Sequence, residues 1–309
     1  MSTVLDGGPI RDRILQECQP RVEALRAAGC QPGLAVILAG HNPASEIYVR
    51  NKVKACQTLG IYSEKFTPPD DVTTEEVLAL IDGLNRRPEI NGILVQLPLP
   101  AQVDSKKVLL AMNPDKDVDG LHPLNLGKLV ANTPGPRPCT PNGVMQLLKR
   151  CRIPIAGQHA VVVGRSDLVG KPMALLLLHA HATVTICHSK TADLAAVCRE
   201  ADILVAAIGR PAFITREFIK PGATVVDVGI NRVTDREEAA RIFGGASKEL
   251  AEFDRKGAVL VGDVHPRDEA EVAGAYTPVP GGVGLLTVAM LLVNTIEAAE
   301  RRCAAQCSA

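Results

Sequence analysis

Ser45, Tyr48 and Lys52 are spaced i, i+3 and i+7, so a helix would place all three on one face. The surrounding segment favours that helix, because Asn42 reads as an N-cap and Pro43 as the first helical residue after an apolar run. A tyrosine hydroxyl beside a lysine ammonium can pass a proton to or from a bound substrate. The same spacing also occurs on surface helices whose lysine only lays its stem along the protein. Spacing alone leaves both readings open.

Two further groups could act with them. The apolar run 92–97 carries Gln96 near its end, before a proline-stopped turn, and Asp119 falls in a turn before Gly120. Near the C-terminus, 276–284 reads Tyr-Thr-Pro-Val-Pro-Gly-Gly-Val-Gly, a rigid, glycine-lined loop whose backbone can approach a flat ligand closely. A second chemistry is suggested by 160–172, where an apolar strand, a turn at Gly164 and a helical pattern with Pro172 follow one another. A helix N-terminus behind a glycine turn presents free N–H groups to a pyrophosphate. The full G-x-G-x-x-G is absent: Ser166 and Val169 hold the second and third places, and Gly170 comes one residue late. In NAD sites an acid ends the second strand about 20 residues on. Here 185–189 reads Thr-Ile-Cys-His-Ser, and no carboxylate comes before Asp193. Arg165 in the turn and Ser189 at the strand end suit a 2′-phosphate, so NADP is expected rather than NAD.

Positioning these groups calls for an α/β scaffold. Runs at 34–39, 92–97, 160–164, 183–187, 203–208, 224–228 and 259–261 are mostly continuous rather than alternating, as in parallel strands covered on both faces. Helical patterns lie at 10–28, 43–59, 74–86, 142–151, 170–181, 191–200 and 285–301. At 309 residues the chain has room for two domains of roughly 150 each. The Pro/Gly-rich stretch 132–141 reads as irregular and marks the boundary. The segment 232–256 mixes acids and bases and reads as a solvated helical insertion.

Composition narrows the function classes. The 34 basic residues balance 34 acidic ones, which argues against a broad basic surface for nucleic acid. Aromatics are 3% with no tryptophan, a poor platform for stacking single-stranded bases. The apolar run 285–293 is well short of the roughly 20 residues that span a bilayer, so no membrane partner is expected. Residues 1–10 do not read as a secretory signal. Nine scattered cysteines, with Cys303 and Cys307 the closest pair, read as free thiols in a reducing cytoplasm. A zinc site on His179 and His181 lacks a third group at ligand spacing, so no metal is expected.

The motifs Y-V-x-x-K (48–52), V-Q-L-P-L-P (95–100), K-D-V-D-G (116–120), P-C-T-P (138–141), G-R-S-x-x-V-G-x-P (164–172), D-V-G-I-N (227–231), V-G-D-V (261–264) and T-P-V-P-G-G-V-G (277–284) together resemble the bifunctional methylenetetrahydrofolate dehydrogenase/cyclohydrolases. They run in the same order over nearly the whole chain. The short-chain dehydrogenases share Tyr-x-x-x-Lys but carry it after their glycine-rich turn, whereas Tyr48 precedes Gly164, which excludes them.

The resemblance implies oxidation of 5,10-methylenetetrahydrofolate by NADP to the 5,10-methenyl cation, then hydrolysis to 10-formyltetrahydrofolate, within one-carbon metabolism. It implies an α/β fold of two domains. Residues 1–141 would form the folate-binding catalytic domain, completed by a last helix at 285–309 that packs back on it. Residues 142–284 would form a Rossmann-like NADP-binding domain, and the enzyme would be a homodimer. By position, Tyr48 would stack on the folate, Lys52 would be the acid/base group that helps water add to the methenyl carbon, and Gln96 would hold Lys52. Asp119 would bind the pterin ring. Ser45, Val95, Leu97, Pro280, Gly281 and Gly284 would complete the folate contacts, while Gly164, Arg165, Ser166, Ser189, Ile230 and Thr287 would line the NADP site.

Three positions depart from the family pattern. Leu285 and Leu286 replace the usual Pro-Met, Gly8 replaces a lysine, and 232–262 is longer than is common. Two alternatives stay open on these residues: a dehydrogenase without the second activity, and a folate- or nucleotide-binding relative without turnover.

Overall fold

The computed structural model describes residues 2–245 and 247–307, without the side chains of residues 43, 44 and 307. The outer limits 1 and 309 of the sequence-based domains, residue 246 of the charged insertion and the Cys307 thiol therefore lie outside the described residues. The chain divides into two compact units, one of residues 12–139 and 288–309, the other of residues 1–11 and 140–287. Two helices, α1 (Gly7–Ala27) and α12 (Val283–Cys307), each contribute residues to both.

The unit of residues 12–139 and 288–309 is built on three parallel strands in the order β3 (Tyr62–Phe66), β2 (Gly33–Ile37), β4 (Gly92–Val95). Every residue of β2 and β4 is buried, which is why their sequences are continuously apolar. Between the strands run α2 (Pro43–Leu59) and α3 (Thr74–Arg86), followed by α4 (Ser105–Ala111) and α5 (Pro123–Val130). A capping box of Thr73 and Glu76 starts α3. Its Val77, Ile81 and Leu84 recur at helical spacing and pack on Ile37, Ile93 and Val95 of the sheet. Truncating one such side chain to alanine costs about 2–5 kcal/mol. Asn42 accepts the Ser45 N–H at the start of α2, and Gly60, at φ +75°, ends it in a left-handed cap.

In the second unit six parallel strands lie in the order β1 (Thr3–Val4), β11 (Ala275–Tyr276), β8 (Thr224–Asp227), β7 (Ile203–Ala206), β5 (His159–Val163), β6 (Thr183–Cys187). The chain goes from β5 to β6 on one side and then to β7 on the other, so the strand order reverses at β5. In open α/β sheets the crevice beyond the carboxyl ends at such a point is where ligands bind. The unit also contains α6 (Cys139–Arg150), whose first residue falls in the other unit, and α7 (Gly170–His179), α8 (Leu194–Cys198) and α11 (Pro266–Val272).

Several elements differ from the sequence reading. Residues 1–11 join the second unit because Thr3 and Val4 extend its sheet against Ala275 and Tyr276. The stretch 132–141 is not wholly irregular: α6 already includes Thr140 and Pro141, and proline fits a first turn whose N–H groups have no helical partner. The charged insertion is more than helical. Its β9 (Asn231–Val233) and β10 (Val259–Val261) pair antiparallel, and α9 (Arg236–Phe243) and α10 (Lys248–Lys256) close a small core with Val233, Ile242, Leu250 and Phe253.

The cysteines are not all thiols. Cys30 and Cys303 form a disulfide with a Cα–Cα distance of 6.0 Å, while Cys18, Cys56, Cys139, Cys151, Cys187 and Cys198 are free. The final helix is also longer and more apolar than the run 285–293 suggested. Val283–Gln306 has the length and hydropathy to cross a membrane, yet 61% of its apolar window is buried inside the protein, as in a core helix.

Candidate active site

At the carboxyl end of β4, Lys52 of α2 meets Gln96. The Lys52 Nζ donates to Gln96 Oε1 at 2.9 Å, and Gln96 Nε2 donates onward to the Leu97 carbonyl at 2.8 Å. The second bond fixes which way the amide faces, so its oxygen is the atom offered to the lysine. Lys52 is buried at 7% exposure and Ser45 at 4%. Tyr48, one turn before Lys52 on the same face, is half-buried, and burial raises its phenol above the usual tyrosine range. Val95 is buried in β4, and Leu97, next after Gln96, is joined to Pro98 by a cis bond.

Asp119 completes this cluster. Burial raises its carboxyl above the usual aspartate range, and the nearby Lys52 charge pulls it back. Burial on balance favours the neutral acid, and the Lys52 charge is the largest influence opposing it. The turn that carries it is tightly built. Gly120 sits at φ +72°, and a Cβ there would lie 2.7 Å from the Arg137 backbone. The buried Asp117 accepts the His122 N–H at 2.7 Å and the Asn125 side-chain amide at 2.9 Å. Asn294 of α12 donates to the Val118 and Arg137 carbonyls at 2.8 and 3.0 Å. The sequence reading singled out neither Asp117 nor Asn294 as holding this turn. Asp117 sits within the K-D-V-D-G motif, but no local signal marks Asn294, 176 residues from Val118.

The second unit holds the other set. Gly164 ends β5 at φ +129°, where a Cβ would strike the Ala207 carbonyl, and a Cβ on Gly170 would strike the Gly164 carbonyl. Two glycines therefore let β5, its turn and α7 pack closely, although the register of G-x-G-x-x-G is broken. Ser166 Oγ accepts the N–H groups of Val169 and Gly170 at 3.1 and 3.4 Å, so this side chain closes the turn. Arg165 and Ser189 are both exposed. Ser189 sits in a turn after β6 in which the Lys190 N–H donates to His188 Nδ1. Lys190, also exposed, was not singled out by the sequence reading. It adds a second cation where an NAD site would carry an acid. Thr287 lies in the first turns of α12, its hydroxyl 3.0 Å from that of Thr140.

Two aspartates organise the loops beyond these strands. Asp263 accepts the N–H groups of Ile208, Gly209 and Arg210 and the Asn231 side-chain amide. Asp227 accepts those of Gly229, Asp263 and Val264. A Cβ on Gly229 or Gly262 would run into Asp263 or Asp227 respectively, which explains the glycines of D-V-G-I-N and V-G-D-V. Thr277 accepts the Asp227 N–H at 2.8 Å and thereby ties the 277–284 loop to β8. Within that loop Pro280 is exposed and Gly281 has φ +115°. Gly284 packs so near Ile230 that a Cβ would lie 2.9 Å from its Cδ1. Burial holds Asp227 up at about 7 against its three N–H donors. Glu269 of α11 has no such donor among the described residues; burial and then the Asp227 charge push it up to about 9.

Ser45, Tyr48, Lys52, Val95, Gln96, Leu97 and Asp119 thus fall in one unit. Gly164, Arg165, Ser166, Ser189, Ile230, Pro280, Gly281, Gly284 and Thr287 fall in the other.

Residues 5–119 match the family described as tetrahydrofolate dehydrogenase/cyclohydrolase, catalytic domain, and residues 138–303 match its NAD(P)-binding domain. The chain is 67% identical over 302 residues to a protein named bifunctional protein FolD from Solibacter usitatus, covering 98% of this chain and 99% of that one. A crystal structure of bifunctional FolD, methylenetetrahydrofolate dehydrogenase/cyclohydrolase, from Campylobacter jejuni superposes with a TM-score of 0.88 at 41% identity, covering 98% of this chain and 100% of that chain. A Trypanosoma brucei methylenetetrahydrofolate dehydrogenase-cyclohydrolase complexed with NADP cofactor and inhibitor gives a TM-score of 0.87 at 38% identity, covering 97% and 98%.

Proposed function

The chain belongs to the tetrahydrofolate dehydrogenase/cyclohydrolase family, and from that membership we propose how its own residues divide the work. It is a bifunctional enzyme of one-carbon metabolism. It oxidises 5,10-methylenetetrahydrofolate to the 5,10-methenyl cation with NADP, then hydrolyses the cation to 10-formyltetrahydrofolate and a proton.

The observation that carries the assignment of roles is the buried pair of Lys52 and Gln96, 2.9 Å apart. Lys52 assists the addition of water to the methenyl carbon and handles the proton released, which at this class of centre is worth about 10²–10⁴-fold. Gln96 positions its Nζ. Tyr48 stacks on the folate, and Asp119 hydrogen-bonds the pterin, with the nearby Lys52 charge favouring its carboxylate form against burial. Ser45, Val95 and Leu97 border that ligand. The intact pair favours two activities over a dehydrogenase alone.

The second unit fits NADP. Gly164 and Gly170 let the β5–α7 turn pack closely, and Arg165, Ser189 and Lys190 offer a cationic, hydroxyl-bearing rim for the 2′-phosphate, with Ser166, Ile230 and Thr287 bordering the nucleotide. Bound there, NADP supplies the hydride acceptor. Hydride transfer needs alignment rather than a side-chain acid, so this unit's residues bind and orient.

The same reading makes the enzyme a cytoplasmic homodimer joined through its NADP-binding units. Its support is β6, the edge strand of the sheet, with Ile186 44% exposed and Leu178 of the neighbouring α7 53% exposed. Purified protein mixed with 5,10-methylenetetrahydrofolate and NADP tests the whole assignment. Reduced cofactor and 10-formyl product should both accumulate; reduced cofactor without 10-formyl product would remove the second activity.

A further inference from the structure

A cavity of about 440 Å³ opens in the unit of residues 12–139 and 288–309, away from Lys52 and Gln96. Ile90 and Asn91, which line it, precede β4, whereas Gln96 follows it. The cavity is therefore at the amino end of that strand and the Lys52–Gln96 pair at its carboxyl end. Its walls come from the end of α3, the segment 113–116 and the last turns of α12.

The polar groups on these walls are mostly donors. Arg86 and Arg87 are paired with acids, Arg86 with Asp82 and Arg87 with Glu64 and Glu89. Among the described residues Lys116 meets no carboxylate: its ammonium donates to the carbonyls of Leu84, Asn85 and Arg87 at 2.9, 2.8 and 2.7 Å, capping the end of α3. Arg301 and Arg302 of α12 have no acidic partner among the described residues. Asn91 and Asn113 each use the side-chain oxygen, to accept the N–H groups of Gly33 and Asp115 at 2.9 and 3.0 Å, and leave the amide nitrogen unpaired among the described residues. Among the described residues Asp115 is the single acid lining the cavity, and it is exposed. The positive field is felt within the cluster: burial first, then the Arg302 charge, hold Lys116 down to about 8.

We propose that this cavity is a second ligand site, distinct from the folate and NADP sites, that binds a small molecule carrying two or more anionic oxygens through Arg301, Arg302 and the free amides of Asn91 and Asn113. Guanidinium groups match carboxylate and phosphate oxygens with paired N–H donors, and the volume is that of a small-ligand pocket rather than a single-ion niche. Phosphate esters and polycarboxylates share this chemistry.

Titration calorimetry on the full-length protein, with NADP saturating so that its own phosphate site is filled, separates the two sources by using inorganic pyrophosphate in one arm and citrate in the other. At least one probe should saturate at one per chain, and the tighter arm identifies the class. The variant R301Q/R302Q should weaken that binding tenfold or more while NADP affinity and the thermal midpoint stay unchanged. Asn113→Asp, a substitution at an exposed position that places a carboxylate among the donors, should weaken it as well. Absence of saturable binding in both arms, or unchanged binding in both variants, would overturn the proposal.

Discussion

Lys52 Nζ donates to Gln96 Oε1 at 2.9 Å, while the Gln96 amide nitrogen donates to the Leu97 carbonyl. The amide is thus held from behind and presents one acceptor to the lysine. Replacing Gln96 with leucine keeps the bulk and removes the acceptor, leaving a buried ammonium without its neutral partner. Methenyltetrahydrofolate hydrolysis should fall at least 10²-fold, on the scale of acid/base assistance, with NADPH formation affected less; steady-state assays of the two steps check this.

Asp119 should act on folate and not on nucleotide. In Asp119→Asn the side-chain volume is kept while the carboxyl on which the Lys52 charge acts is lost. The KM for methylenetetrahydrofolate should rise about 10–100-fold, the value of a hydrogen bond to a charged group. The KM for NADP should stay within twofold, and a parallel rise in both would remove Asp119 from the folate site.

Arg165 should set the cofactor preference. Arg165→Gln removes one of two exposed cations near the proposed 2′-phosphate position. The ratio of kcat/KM for NADP over NAD should drop roughly tenfold, the effect of about 1.4 kcal/mol. An unchanged ratio would shift the burden to Lys190.

Glu269 gives a pH dependence of stability with a definite sign. Its folded carboxyl lies at about 9 against an ordinary value of 4.5, so the native state holds a proton that the unfolded state releases. Stability from this group is complete below pH 4.5 and is lost as pH rises toward about 9, at up to about 1.4 kcal/mol per pH unit. Glu269→Gln, which cannot ionise, should flatten the fall in thermal midpoint between about pH 6 and about pH 9. Parallel wild-type and variant curves would contradict the buried protonated carboxyl.

Much of this architecture is written locally. Continuous apolar runs mark β2, β4, β5, β7 and β8, and helical spacing with the Asn42–Pro43 start marks α2. The elements that escaped sequence reading lack a local signal. In β3, Tyr-Ser-Glu-Lys-Phe is a polar edge strand held by pairing with β2. In β1, two residues find their partners 272 positions away, at Ala275 and Tyr276. The Cys30–Cys303 disulfide spans 273 residues and depends on where α12 ends in space. Within the site, motif order brought out Lys52, Gln96 and Asp119, but Asn294 and Asp117 hold the Asp119 turn mainly through backbone carbonyls and N–H groups, and such work leaves no side-chain pattern to read.

The most direct measurement uses Lys52→Met, which keeps a long side chain and removes the ammonium. Purified variant is given methylenetetrahydrofolate and NADP, with NADPH and 10-formyltetrahydrofolate followed separately. Assignment of Lys52 to water addition predicts that NADPH still forms while hydrolysis is abolished, so the methenyl compound accumulates. Hydrolysis at the wild-type rate in this variant would contradict it.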